Sequence, residues 1–214
     1  LFGISLCKLT MRTLTMNREN YWASQTFWKK CAIWVTAVMF VILIFLTFDS
    51  VSKITAGTER VPEYSVINKK VFYKYSEARD ILVPEICCEA PLFGKKLSND
   101  EAADLIDLGK LTIQAKNCMN CHTLLGNGAY YAPDLTKAWL DQGWINESIR
   151  ENLMVDFLLD PEANARSFGT NRKMPNLGLT EDEAKAVVAY LKWMSAIDTN
   201  GFPAWFKPIY QEEE

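Results

Sequence analysis

The chain has 214 residues, with Lys+Arg 23 against Asp+Glu 26 and a formal net charge of -3, a length that suits one folded domain plus extra segments. Hydrophobic residues make up 49% and charged residues 23%, which excludes collagen-like, disordered and disulfide-scaffold chains. The slight acidity argues against a nucleic-acid binder, and the single histidine removes most metal sites and nearly all histidine-based catalysis.

Residues 1–30 carry Lys8, Arg12, Arg18, Lys29 and Lys30; the chain opens on Leu1, with Met11 and Met16 as candidate start residues. Residues 31–48 (CAIWVTAVMFVILIFLTF) then run without a charge. At ~1.5 Å per residue this run is about 27 Å long, close to the ~30 Å hydrocarbon core of a bilayer. Tyr21, Trp22 and Trp28 precede it, where amphipathic rings favour the headgroup layer. A buried core helix would show a polar stripe, and this run shows none. A cleaved signal would have a shorter apolar run and a small-x-small site after it. The segment therefore reads as an uncleaved transmembrane anchor. Fewer basic residues, Lys53 and Arg60, follow it closely, so the positive-inside rule places residues 1–30 in the cytoplasm and residues 49–214 outside.

Residues 49–97 mix charged, aromatic and turn residues without a repeat, with short strands around residues 71–75 as one reading. The stretch is too apolar for a free linker, so it reads as an insertion that packs on a partner or on the domain after it. It holds adjacent Cys87 and Cys88, which fit free thiols, a vicinal disulfide or a metal site.

Ser98-Asn99-Asp100-Glu101 is a capping box, and the helix it opens runs to about Ala115 with Ala102, Leu105, Ile106, Gly109, Thr112 and Ile113 on one face. A second helical pattern covers residues 145–159, and a third follows the capping box Thr180-Glu181-Asp182-Glu183. These patterns predict an all-α domain of three to five helices over residues 98–200, followed by a tail, 201–214. Gly109 would let the first of these helices cross the third closely, near Tyr190 or Trp193. The long connections inside so small a domain suggest that they wrap something.

Cys118-Met119-Asn120-Cys121-His122 is a C-x-x-C-H run, the attachment signal for c-type haem. Two thiols at this spacing can add across the two vinyl groups, with the adjacent His122 beneath the iron. A redox dithiol is the first rival, but the βαβ setting it needs is missing. A zinc site is the second; it needs a fourth ligand, for which Cys87 or Cys88 would be candidates. One histidine rules out two imidazole ligands from this chain, leaving Met119, Met154, Met174 and Met194 as candidates for the sixth position. Met119 lies within the attachment loop, and Met154 and Met194 lie in helical patterns. Met174 occupies the polar, irregular run Arg172-Lys173-Met174-Pro175-Asn176, where proline would stiffen the backbone, and is the preferred ligand. A carbonyl in Ala132-Pro133-Asp134-Leu135, at Pro133, could accept the other ring N–H of His122; a plain turn is the alternative for Pro133. Lys116, Lys137, Arg172 and Lys173 read either as steering charges for a donor or as a solvated face.

Residues 118–130 (CMNCHTLLGNGAY), Ala132-Pro133-Asp134-Leu135, Met174-Pro175 and residues 193–200 (WMSAIDTN) together resemble the cytochrome c subunit of bacterial nitric oxide reductases. The resemblance covers the anchor and about residues 98–203. It implies a class I-like monohaem cytochrome c domain on one membrane anchor, in the bacterial inner membrane with the haem domain periplasmic. It implies Cys118 and Cys121 as thioether anchors and His122 and Met174 as axial ligands. The implied partners are a soluble periplasmic donor, a cytochrome c or a cupredoxin, and a large polytopic subunit with haem b, haem b3 and non-haem iron that converts NO to N2O. Gly128 and Tyr130 match positions that help hold a Ca2+ ion at the subunit interface. Residues 62–97 depart from the pattern, being longer than the usual spacer. The competing readings are a monohaem subunit of a haem-copper oxidase, a free-standing anchored electron-transfer cytochrome, and a gas-sensing or zinc-binding module.

Overall fold

The structure, a computed structural model, describes residues 24–144, 149–164 and 173–204. Lys8, Arg12, Arg18, Tyr21 and Trp22, the start of the second helical pattern at residues 145–148, Arg172, and the tail from residue 205 lie outside the described residues. The chain divides into two compact units, one ending at Ser52 and the other beginning at Lys53.

The first unit contains all but the last two residues of helix α1, Gln25–Ile54, which extends the apolar run of residues 31–48 at both ends. None of its side chains is buried, and by length and composition it can cross a membrane. Its backbone hydrogen bonds are satisfied within the helix, as a lipid environment requires. Thr47 folds its hydroxyl back on the Leu43 carbonyl at 2.8 Å, so the polar groups among the apolar residues also stay local.

The second unit opens with an antiparallel hairpin, β1 Lys69–Ser76 and β2 Ile81–Glu89. Alternation explains β1: Val71 and Tyr73 are buried, while Lys74 between Tyr73 and Tyr75 is exposed. Pro84 is tolerated in β2 because a two-stranded sheet leaves each strand an outer edge. The hairpin corrects the all-α expectation, which describes the helices and leaves these strands out; the period of two at residues 71–75 is what competed with it. Of the two readings of residues 49–97, packing on the following domain is the one observed: Val66, Ile67, Val71, Tyr73 and Leu92 share one core with the helices.

Helix α2, Asn99–Ala115, and helix α5, Glu181–Ser195, form the centre of that core. Both begin with complete capping boxes, Ser98 with Glu101 and Thr180 with Glu183, so the sequence signals place both starts to the residue. They cross at Gly109, where a Cβ would overlap the Ala186 carbonyl and stand 2.9 Å from Tyr190 Cβ. Helix α3, Arg150–Leu159, supplies buried Met154 and Val155, and the short helix α4, Pro161–Asn164, follows it. Trp193 Nε1 donates to the Pro62 carbonyl at 3.1 Å, and its ring lies 5.4 Å from that of Tyr64, fastening the entry of the unit to α5.

Candidate haem-attachment site

Helix α2 ends with Asn117 in the left-handed region (φ 54), which asparagine tolerates, and the chain turns at once into a 3-10 turn, Cys118–Asn120. The His122 and Cys121 amides both donate to the Cys118 carbonyl, at 3.0 and 3.2 Å. Both thiols and the imidazole are thus carried on one tight loop, and all three side chains are half-buried. Burial pushes the Cys118 thiol above its ordinary pKa.

His122 Nδ1 donates to the Pro133 carbonyl at 2.7 Å. A carbonyl only accepts, so Nδ1 carries a hydrogen, and in the neutral ring that leaves the lone pair on Nε2. Nε2 has no hydrogen bond among the described residues. That is the tautomer an iron ligand needs.

The Pro133 carbonyl is itself held in place. Asp134 accepts from the Thr123 hydroxyl at 2.6 Å and from the Thr136 amide at 2.8 Å. The Thr136 hydroxyl accepts from the Leu125 amide at 2.7 Å, and the Leu135 amide donates to the Thr123 carbonyl at 2.8 Å. The next side chain, Lys137, is 2% exposed and donates to the carbonyls of Ser195 at 3.1 Å and Ile197 at 2.7 Å. Burial pushes its pKa down to about 7, against the pull of Asp198 and Asp134. Lys137 is therefore neither a steering charge nor part of a solvated face. Lys116 is engaged as well, donating to the Gly178 carbonyl at 3.0 Å; Lys173 is exposed. Sequence reasoning missed this network. The Asp134-x-Thr136 spacing, which closes an Asx turn, was the one local signal that could have found it.

Strands β3, Thr123–Leu124, and β4, Asn127–Gly128, form a two-residue hairpin through Leu125 (φ 50) and Gly126 (φ 78). Gly128 (φ 124) lies against the loop so closely that a Cβ would overlap the His122 carbonyl. Tyr130 is 81% exposed, with its hydroxyl donating to the Gly126 carbonyl at 3.0 Å. Among the described residues no group of three or more His, Cys, Asp or Glu gathers to hold a metal ion.

The four methionine candidates separate. Met154 and Met194 are buried in the core, and Met119 is half-buried within the attachment turn. Met174 is half-buried in the irregular segment leading to α5. Among the described residues, Asn176 Nδ2 donates to the Leu159 carbonyl at 3.2 Å, and Lys116, two residues before Cys118, reaches Gly178, which helps hold that segment.

A histidine turned by a backbone carbonyl, beside a cysteine pair on one turn, is the local architecture of a c-type cytochrome, and residues 106–195 match the cytochrome c family. Over 113 residues the chain is 33% identical to the C-subunit of nitric oxide reductase from Stutzerimonas stutzeri, covering 52% of this chain and 73% of that protein. It is 28% identical over 116 residues to the C-subunit from Halomonas halodenitrificans (52% of this chain, 73% of the relative). It is 26% identical over 137 residues to that of Paracoccus denitrificans (63% and 90%). The chain belongs to the family of nitric oxide reductase C-subunits.

Proposed function

We propose that the chain is the electron-entry subunit of a membrane nitric oxide reductase. It takes electrons from a soluble periplasmic donor, a cytochrome c or a cupredoxin. It passes them to a polytopic partner with haem b, haem b3 and non-haem iron, where two NO, two electrons and two protons become N2O and water. The observation that carries this reading is the His122–Pro133 bond inside the stretch matched to the cytochrome c family, in a chain related to the nitric oxide reductase C-subunits.

One haem c, when bound, supplies a one-electron Fe(III)/Fe(II) couple. Cys118 and Cys121 would hold it covalently, and His122 Nε2 and Met174 Sδ would ligate its iron. The donor set suits that group: the imidazole has the required tautomer, and Met154 and Met194 are committed to the core. Pro133, fixed through Asp134 and Thr136, keeps the imidazole in one orientation. A methionine in the sixth position raises the potential and closes the iron to small ligands, which suits electron transfer.

The proposed organisation is a cytoplasmic segment 1–30, a single-pass anchor 31–48 in the bacterial inner membrane, an insertion 49–97, a periplasmic class I-like cytochrome c domain 98–200 and a tail 201–214. Gly128 and Tyr130 are proposed to face a Ca2+ ion shared with the partner. The close approach to the His122 carbonyl already demands glycine at 128, so Tyr130 is the residue on which the Ca2+ reading is tested. Replacing Tyr130 with Ala should lower the Ca2+ content of the complex.

Purified in mild detergent, the chain should stain for covalent haem and bring with it a polytopic partner carrying b-type haem and NO-consuming activity. A chain that purifies alone, or with a partner that turns over O2 and not NO, overturns the reading.

A further inference from the structure

Cys87 and Cys88 lie outside residues 106–195, the stretch matched to the cytochrome c family, and among the described residues they form no metal-binding group with Cys118, Cys121 and His122. Both are exposed near the end of β2, and their sulfurs are bonded to each other. In a regular strand adjacent side chains point to opposite faces, which would hold the two sulfurs apart. The hairpin register removes that obstacle. Lys69 pairs with Glu89 and Val71 with Ile86, so Cys87 and Cys88 together oppose the single residue Lys70. The cysteines are the two residues of a β-bulge, where the alternation is broken.

We infer that Cys87–Cys88 is a reversible thiol–disulfide site that exchanges with an external dithiol. A thiolate of the dithiol attacks one sulfur, the Cys87–Cys88 bond breaks, and the leaving sulfur takes a proton. The second thiol of the reagent then displaces the mixed disulfide. Two electrons and two protons pass to the cysteine pair, and the dithiol departs as its own disulfide. Exposure of both residues gives the attacking thiolate access.

The surroundings hold the hairpin during this exchange. The Ala90 amide donates to the Asn68 carbonyl at 2.7 Å, Lys192 Nζ donates to the Ala90 carbonyl at 3.0 Å, and Val71 and Tyr73 remain in the core. The pair therefore cycles on a platform that its own chemistry does not need to build.

The test uses the full-length, haem-loaded protein in detergent, alkylated under native conditions and mapped by mass spectrometry. Without reductant, the peptide containing residues 87 and 88 should carry no label. After dithiothreitol it should carry two labels, and, once the dithiothreitol is removed, treatment with oxidised glutathione should return it to none. Cys87→Ser should leave Cys88 labelled without any reductant. Labelling of the untreated protein, failure to label after dithiothreitol, or labelling that oxidised glutathione does not reverse would each overturn the proposal. None of these readouts depends on the haem-site reading, which stands or falls separately.

Discussion

Between Cys118 and Lys137 the chain is held by its own backbone and by short polar side chains, with Thr123 and Thr136 as its buried residues before Lys137. Between Lys69 and Glu89 it is held by a strand ladder, by Val71 and Tyr73 in the core, and at its turn by Arg79, which donates to Asp198 at 2.6 Å and to Asn200 at 2.9 Å. The loop carries its half-buried thiols and imidazole on a polar frame, as a cofactor cradle can. The hairpin invests its best side chains inward, as a packing element does. The two regions share an acceptor: the Ser195 carbonyl accepts from Tyr73 Oη of the hairpin at 3.3 Å and from Lys137 Nζ of the loop, which also lies 5.0 Å from the centre of the Tyr73 ring. Burial raises the Tyr73 hydroxyl pKa, with Asp198 adding to the effect, so that group stays a neutral donor across the physiological range.

If the loop is the cradle and the hairpin the packing element, damage to each should read out differently. The largest effect is expected from Cys118→Ser combined with Cys121→Ser, which should abolish covalent haem as seen by haem staining of a denaturing gel. Met174→Ala should leave the haem attached, lower its reduction potential and remove the methionine-to-iron charge-transfer band. An unchanged potential would mean another group is the ligand.

Lys137 sharpens the contrast by pH. Its folded pKa, about 7, lies below its ordinary value of 10.5, so between those values the unfolded chain binds more protons than the folded one. Stability contributed through this group should therefore rise as pH goes from about 7 towards 10.5, with Asp134, Asp198 and Tyr73 as the neighbouring titratable groups. Thermal melts across that range should show the slope, and Lys137→Met should flatten it.

In the hairpin, Val71→Ala should cost about 2 kcal/mol of stability by thermal or chemical denaturation while leaving haem attachment intact. Loss of haem in that variant would break the division between the two regions. The smallest effect is expected from Arg79→Ala, below about 1 kcal/mol, because the ion pair it removes is partly exposed.

Local chemistry made much of this molecule readable in advance. The capping boxes at Ser98 and Thr180, the uncharged run of residues 31–48 and the Cys118-to-His122 spacing each act over a few residues, and each needs no distant partner to be interpreted. Gly109 was readable because a glycine on the apolar face of a helix signals close approach, here to Ala186 and Tyr190. Lys137 was not readable. Its burial depends on carbonyls 58 and 60 positions away at the end of α5, which only chain packing brings within reach. The hairpin's anchor is of the same kind: Arg79 and Asp198 lie 119 positions apart. By itself, then, the sequence determined the starts of α2 and α5, the apolar anchor run and the cofactor motif, because short-range sterics and hydrogen bonding specify them. Only tertiary structure decided which charge goes inside, where the hairpin sits and how the cysteine bulge faces solvent, because those outcomes depend on surfaces that exist only once the helices have packed.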